Sequence, residues 1–153
     1  MNYSITKKEV LDAARSFLNV KWLHQGRDPQ FGLDCVGYCS AVAKAIDYPT
    51  IIDMTDYGRE PNPLELIRML RANLDEIELS EFGAADILLM KPMQSDSPRH
   101  VAFCETLEND PKRGIEPSIL HAANRVGIQK VIREPLQNYR SRLVKAFRIR
   151  GLV

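Results

Sequence analysis

The apolar residues of this chain change their period once, and that change most constrains the fold. As far as Leu74 they recur at helical spacing; from Glu76 onward they alternate or run in short apolar stretches. Helices first and strands afterwards predict an α+β fold with a mainly antiparallel sheet. Thr6-Lys7-Lys8-Glu9 is a capping box, and Val10, Leu11, Ala14, Phe17 and Leu18 give a first helix reaching about Asn19. From Val20 to Leu33 the period disappears, and Gly26, Asp28, Pro29 and Gly32 mark a loop. Asp34 caps a second helix that ends near Ile46-Asp47, ahead of Pro49. After an irregular connection from Tyr48 to Pro61, Asn62 caps a third helix with Pro63 at its first position. Strands are then predicted at Glu76 to Leu79, Asp86 to Met90, Val101 to Cys104 entered from His100, Ile119 to Ala122, and Ile128 to Ile132. Pro135 starts a short helical turn through Tyr139, and Leu143 to Arg150 alternates as a closing strand.

At 153 residues the chain is read as one domain, 1–153, long enough to bury a sizeable core. A net charge of +1 supplies no basic field, so neither nucleic acid nor a membrane is expected as a partner. No stretch approaches a membrane span, and the charged start, Met1 to Lys8, has no apolar run behind it. The expectation is synthesis in the cytoplasm without a secretion signal; action outside the cell would need another route. The 3 cysteines form no disulfide-scaffold pattern and are read as thiols of a reducing compartment.

The chemistry concentrates on Gly32-Leu33-Asp34-Cys35-Val36-Gly37. With Asp34 as cap, Cys35 falls in the first helical turn, where the helix dipole favours a thiolate. A cysteine so placed is a nucleophile candidate; most free cysteines, however, are inert and buried. Of the 3 histidines, His100 stands at the mouth of a strand and shares a face with Ala102 and Cys104. Those small residues would let the Cys35 helix pack on that face and set a thiolate–imidazolium pair. His121, on the next strand, would orient His100 by a hydrogen bond to its far nitrogen.

The segment from Trp22 to Tyr38, with its core H-Q-G-R-D-P-x-x-G-L-D-C-V-G, resembles the nucleophile region of the NlpC family, and most of all its phage-tail branch. The NlpC proteins are papain-like cysteine peptidases of the bacterial cell wall. Ala85-Asp86-Ile87-Leu88-Leu89, Arg99-His100-Val101-Ala102-Phe103 and Ile119-Leu120-His121-Ala122 resemble the later family blocks, in family order. The resemblance spans Val20 to Ile132 and implies a papain-like fold, with N-terminal helices packed on an antiparallel sheet. It further implies Cys35 as nucleophile, His100 as general base, His121 as orienting residue, and peptidoglycan stem peptides as substrate, without cofactor or metal. Phage tail proteins would be partners, and a virion tail would carry the enzyme to the wall.

There are departures from the family pattern. Trp22 stands where a tyrosine is usual, so oxyanion stabilisation would lean on the Cys35 backbone N–H, with Trp22 auxiliary. Ala85 and Ala102 replace glycines, adding a methyl each and tightening the groove. His24 either contacts substrate or packs the loop, and packing is favoured. Arg27 either pairs with Asp28 or meets a substrate carboxylate. A zinc site from Cys35, Cys39, Cys104 and His100 lacks paired Cys-x-x-Cys spacing, so packing is favoured over metal. Two other functions share the residues: a non-catalytic component of a phage tail, and acyl transfer or hydrolysis on a non-wall amide.

Overall fold

A computed structural model describes residues 4–153; the first three, part of the charged start considered above, lie outside the described residues. Its helices are α1 (Lys7–Ser16), α2 (Cys35–Ala45) and α3 (Pro63–Asn73). Its strands are β1 (Asp75–Ile77), β2 (Ile87–Met90), β3 (His100–Thr106), β4 (Ser118–Arg125), β5 (Ile128–Pro135) and β6 (Leu143–Arg148). The strands form one sheet in the order β1-β6-β2-β3-β4-β5, every neighbouring pair antiparallel. This is the α+β arrangement that the change of period predicts.

Local chemistry accounts for the helix starts. Thr6 and Glu9 close the capping box, with the Thr6 amide donating to Glu9 at 2.7 Å. Asn62 accepts from the Leu64 and Glu65 amides, and Pro63 leads α3. Tertiary contacts explain the differences from expectation. The first helix stops at Ser16 rather than Asn19, because Asn19 turns to φ 73° and donates its N–H to the Val131 carbonyl of β5. The strand predicted at Glu76 to Leu79 shortens to β1, since Leu79–Glu81 forms a 3-10 turn. Strands β4 and β5 are longer than predicted, paired as far as Arg125 and Ile128 around a two-residue turn at Val126-Gly127.

The sheet is covered on both faces. On one, Ile87, Leu89, Val101, Phe103, Leu120 and Ala122 join the core built on α1, α2 and α3. On the other, Leu88, Met90, Ala102, Cys104 and Ile119 pack with Leu136 and Tyr139 of the 3-10 turn Leu136–Arg142. The face carrying Ala102 and Cys104 is therefore turned away from α2, contrary to the expectation that the Cys35 helix packs there. Strand alternation was read correctly, but the helix took the larger residues of the opposite face. Ala102 consequently does not narrow a groove. Ala85 is buried too, held at φ 74° between the Cys104 carbonyl and the start of β2. In the left-handed region its methyl costs about 1 kcal/mol, which explains why glycine suits the position.

Helix α2 is buried from Cys35 through Ala43. Its first turn lies directly on the preceding loop, where a β-carbon on Gly37 would come 1.9 Å from the Gly26 carbonyl oxygen. One on Gly26 would in turn meet the Gly32 carbonyl at 2.2 Å. These glycines let the backbones touch, and so set the position of the helix start. Arg15 of α1 ties the helical layer to β3 by an ion pair with Glu105 at 2.8 Å. Among the described residues no helix is long and apolar enough to cross a membrane.

Candidate active site

Asp34 caps α2 by accepting from the Gly37 amide at 2.8 Å. The same carboxylate accepts from the Gln25 amide at 2.9 Å, Arg27 Nη1 at 3.0 Å and the Tyr57 hydroxyl at 2.5 Å. Arg27 spends its remaining donors on Asp53, the Met54 carbonyl and Tyr57. Its partners are thus Asp34 and Asp53 rather than Asp28, and it is not available to a substrate carboxylate. Asp28 instead accepts from the Gln30 amide.

Cys35 follows Asp34 at the start of α2 and is 7% exposed. It lines one small pocket with Trp22, Asp34, His100, His121 and Tyr139. The elements bring together the thiol and both histidines that the sequence singled out. They do so at the end of the sheet where β3 begins, not across a shared face. His100 Nε2 lies 2.8 Å from His121 Nδ1. Nδ1 of His100 takes no part in that contact.

Electrostatics alter the expectation of a preformed ion pair. Burial, reinforced by the Asp34 carboxylate, pushes the Cys35 thiol up to about 12, although the Val101 and Val36 amides and the Arg27 charge work the other way. The helix dipole does not overcome this desolvation. Protein packed around the His100 ring, and then the neighbouring His121, bring its pKa down to about 3, with Glu134 opposing. Both shifts favour the uncharged forms, a thiol and a neutral imidazole lining one pocket.

Behind the histidines lies a set that the sequence reading missed. His121 Nε2 is 3.7 Å from Glu134 Oε2, and the other Glu134 oxygen takes Arg125 Nη2 at 2.5 Å. The Tyr139 ring meets His121 edge-on at 5.4 Å, and its hydroxyl accepts from Arg125 at 3.4 Å. Strand alternation alone puts Glu134 on some face of β5; only the β4–β5 register sets it near His121.

Trp22 lines the pocket, and no described residue accepts a hydrogen bond from its indole N–H. His24 is not among the lining residues; it stacks on Trp22 at 6.4 Å and meets Tyr57 edge-on at 5.8 Å. It supports the pocket wall rather than the groove. Beside the pocket opens a wider groove of about 720 Å³, and Arg59, Glu60, Gln94, Arg99, Asn124 and Arg125 line both. Neither Arg59 nor Arg99 has a carboxylate partner among the described residues; Arg59 lies over the Trp22 ring and Arg99 donates to the Pro61 carbonyl. Cys39 is buried on the α2 side of the sheet and Cys104 on the other, so the imagined zinc set is not one site. Among the described residues no group of three or more His, Cys, Asp or Glu is arranged to hold a metal ion.

No protein-family model and no curated protein sequence matches the chain. Solved structures do. A NlpC/P60 family protein from Bacillus cereus superposes with a TM-score of 0.65 at 18% identity, over 97% of this chain and 41% of that one. The NlpC/p60 domain of the peptidoglycan hydrolase SagA gives 0.60 at 19% identity, over 95% of this chain and 100% of that one. A protein similar to lipoprotein, of the NLP/P60 family from Staphylococcus aureus, gives 0.58 at 17% identity, over 94% of this chain and 41% of that one. The chain thus spans 41% of the first and third of these chains and the whole SagA domain. Its fold is the papain-like α+β fold of the NlpC/P60 proteins. These likenesses do not single out a phage-tail branch.

Proposed function

We propose that the chain is a cysteine peptidase or amidase that cuts peptide bonds in peptidoglycan stem peptides. The observation that carries this is the Cys35 pocket, where a thiol at a helix start shares its walls with a hydrogen-bonded histidine pair. Cys35 Sγ attacks the scissile carbonyl carbon while its proton passes to His100 Nδ1. The resting thiol holds its proton, so attack and proton transfer go together. Backbone N–H groups at the start of α2 hold the oxyanion, with the Trp22 indole N–H as a further donor. His100 then gives the proton to the leaving nitrogen as the C–N bond breaks and a thioester forms. Water, deprotonated by His100, attacks the thioester, releasing the carboxylic acid and restoring the thiol.

The name of the SagA domain, a peptidoglycan hydrolase, supports the choice of wall substrate. Arg59 and Arg99 at the groove, without carboxylate partners among the described residues, suit a peptide carrying free carboxylates. The wording from His24 to Gly37 supports a tail-borne enzyme, made in the cytoplasm, carried to the wall by a virion and partnered by other tail proteins.

Incubating purified stem peptides with wild type and Cys35→Ala, and identifying the fragments by mass, tests the reading. Cleavage by wild type and a loss on the order of 10⁴-fold or more in the variant are expected. No Cys35-dependent cleavage of any wall peptide overturns the substrate. For the tail setting, Cys35→Ala phage should assemble normal tails yet fail to cut the wall; defective tails would favour an assembly role.

A further inference from the structure

Beyond the histidine pair, β5 holds an arrangement that a purely structural account leaves unexplained. Glu134 is 5% exposed and His121 is 1% exposed. Each keeps one atom, Oε2 and Nε2, without a partner at hydrogen-bond distance among the described residues, and these two atoms face each other at 3.7 Å. Buried polar atoms are almost always bonded, so two such atoms facing each other mark a contact that tightens at some stage. Catalytic hydrogen bonds are often long before substrate binds. Arg125 anchors the other Glu134 oxygen, which fixes where the free one points.

We propose that Glu134, held by Arg125, is a positioning residue that sets the proton order of the whole histidine chain. An ionised carboxylate accepts and does not donate, so the His121 nitrogen facing it must carry hydrogen. His121 Nδ1 is then left with its lone pair, and it accepts from His100 Nε2. That in turn leaves the lone pair of His100 on Nδ1, the nitrogen that takes the thiol proton. One carboxylate thus dictates the tautomer of a base two rings away. When His100 is protonated during turnover, the same chain spreads its positive charge toward Glu134. Burial alone would raise the Glu134 pKa, but the facing His121, together with Arg125 and Tyr139, brings it down to about 2, so it is ionised at neutral pH. Tyr139 and Arg125 are the other polar groups around the carboxylate, and neither replaces it. Arginine only donates, and the Tyr139 hydroxyl accepts from Arg125 and has its own hydrogen for Glu134, so both act as donors to the carboxylate.

The inference rests on the hydrolase reading above, and its test is chosen to stand apart from it. Nitrogen-15 spectra of histidine-labelled wild type at neutral pH should show hydrogen on Nε2 of both His100 and His121. Hydrogen on Nδ1 of either ring overturns the proposal without any variant. In Glu134→Gln the amide can donate to His121 Nε2 and reverse the chain, leaving His100 with hydrogen on Nδ1. The rate of Cys35 alkylation by iodoacetamide at neutral pH, which needs no knowledge of substrate, should then fall on the order of tenfold to a hundredfold. Glu134→Asp should recover part of it. On a cleaved substrate kcat should drop with KM unchanged. A folded Glu134→Gln protein that keeps wild-type tautomers and alkylation rate overturns the proposal. If no wall peptide is cut but the tautomers and alkylation behave as stated, the substrate reading fails and the positioning role stands.

Discussion

Asp34 and Glu134 are both buried carboxylates, 3% and 5% exposed, one at the start of α2 and one behind the histidines. Asp34 is saturated: two backbone amides, an arginine and a tyrosine hydroxyl all donate to it. Glu134 is half committed, with one oxygen on Arg125 and the other 3.7 Å from His121 Nε2, beyond hydrogen-bond distance. The difference teaches which residue builds and which one works. A carboxylate with every lone pair in use holds backbone in place, and disturbing it costs stability. One that keeps an oxygen aimed at a histidine ring is free to govern a proton.

The sharpest way to break that comparison is Asp34→Ala. It removes the helix cap and strips Arg27 of a buried partner, so unfolding should show a loss of about 3 kcal/mol. Glu134→Gln should change the midpoint far less while slowing Cys35 chemistry; equal stability losses in the two variants would erase the distinction. Next comes Gly37→Ala, which pushes a methyl into the Gly26 carbonyl beneath the helix start. Denaturant titration should show a loss of roughly 1–3 kcal/mol, as overpacking does. A neutral result would mean that the loop yields and that Asp34 alone holds the helix.

The third test is acid. His100 binds its proton near 3 when folded against 6.5 ordinarily, so between those values the unfolded chain takes up more protons. Its contribution to stability is full above about 6.5 and is lost as pH falls toward 3. Wild type should therefore weaken in that window, and His100→Gln should flatten the slope there. Glu134 adds a later loss, since its pKa is lowered from 4.5 to about 2. A His100→Gln slope equal to wild type would mean that the ring is not held neutral. The smallest effect belongs to Ala85→Gly, which relieves the left-handed strain and should stabilise by about 1 kcal/mol in thermal melts.

Much of this molecule was legible in the residues. The change of period placed the helical and strand halves, because a buried stripe must recur every third or fourth residue on a helix and every second on a strand. Capping chemistry located the starts of α1, α2 and α3 to the residue. Cys35 and His100 stood out as scarce reactive side chains at element starts, and His121 as a histidine on the following strand. Less of their surroundings could be read. The expectation that α2 lies on the Ala102 face failed, since each face of β3 is apolar and packing volume chose the Val101 face.

By itself, then, the sequence determined the elements, the capped cysteine and the order of the chemical groups, all of which depend on neighbours a few residues apart. Tertiary structure alone decided the state of those groups. Desolvation holds the proton on Cys35 against the helix dipole, because burial removes more stabilisation from a thiolate than one helix end returns. The fold also took Arg27 from substrate recognition into a partly buried ion-pair set with Asp34 and Asp53. Glu134 reached His121 only through the register that sets His121 opposite Ile132, two residues away along β5. A shift of one residue in that pairing would turn its carboxylate to the other face of the sheet.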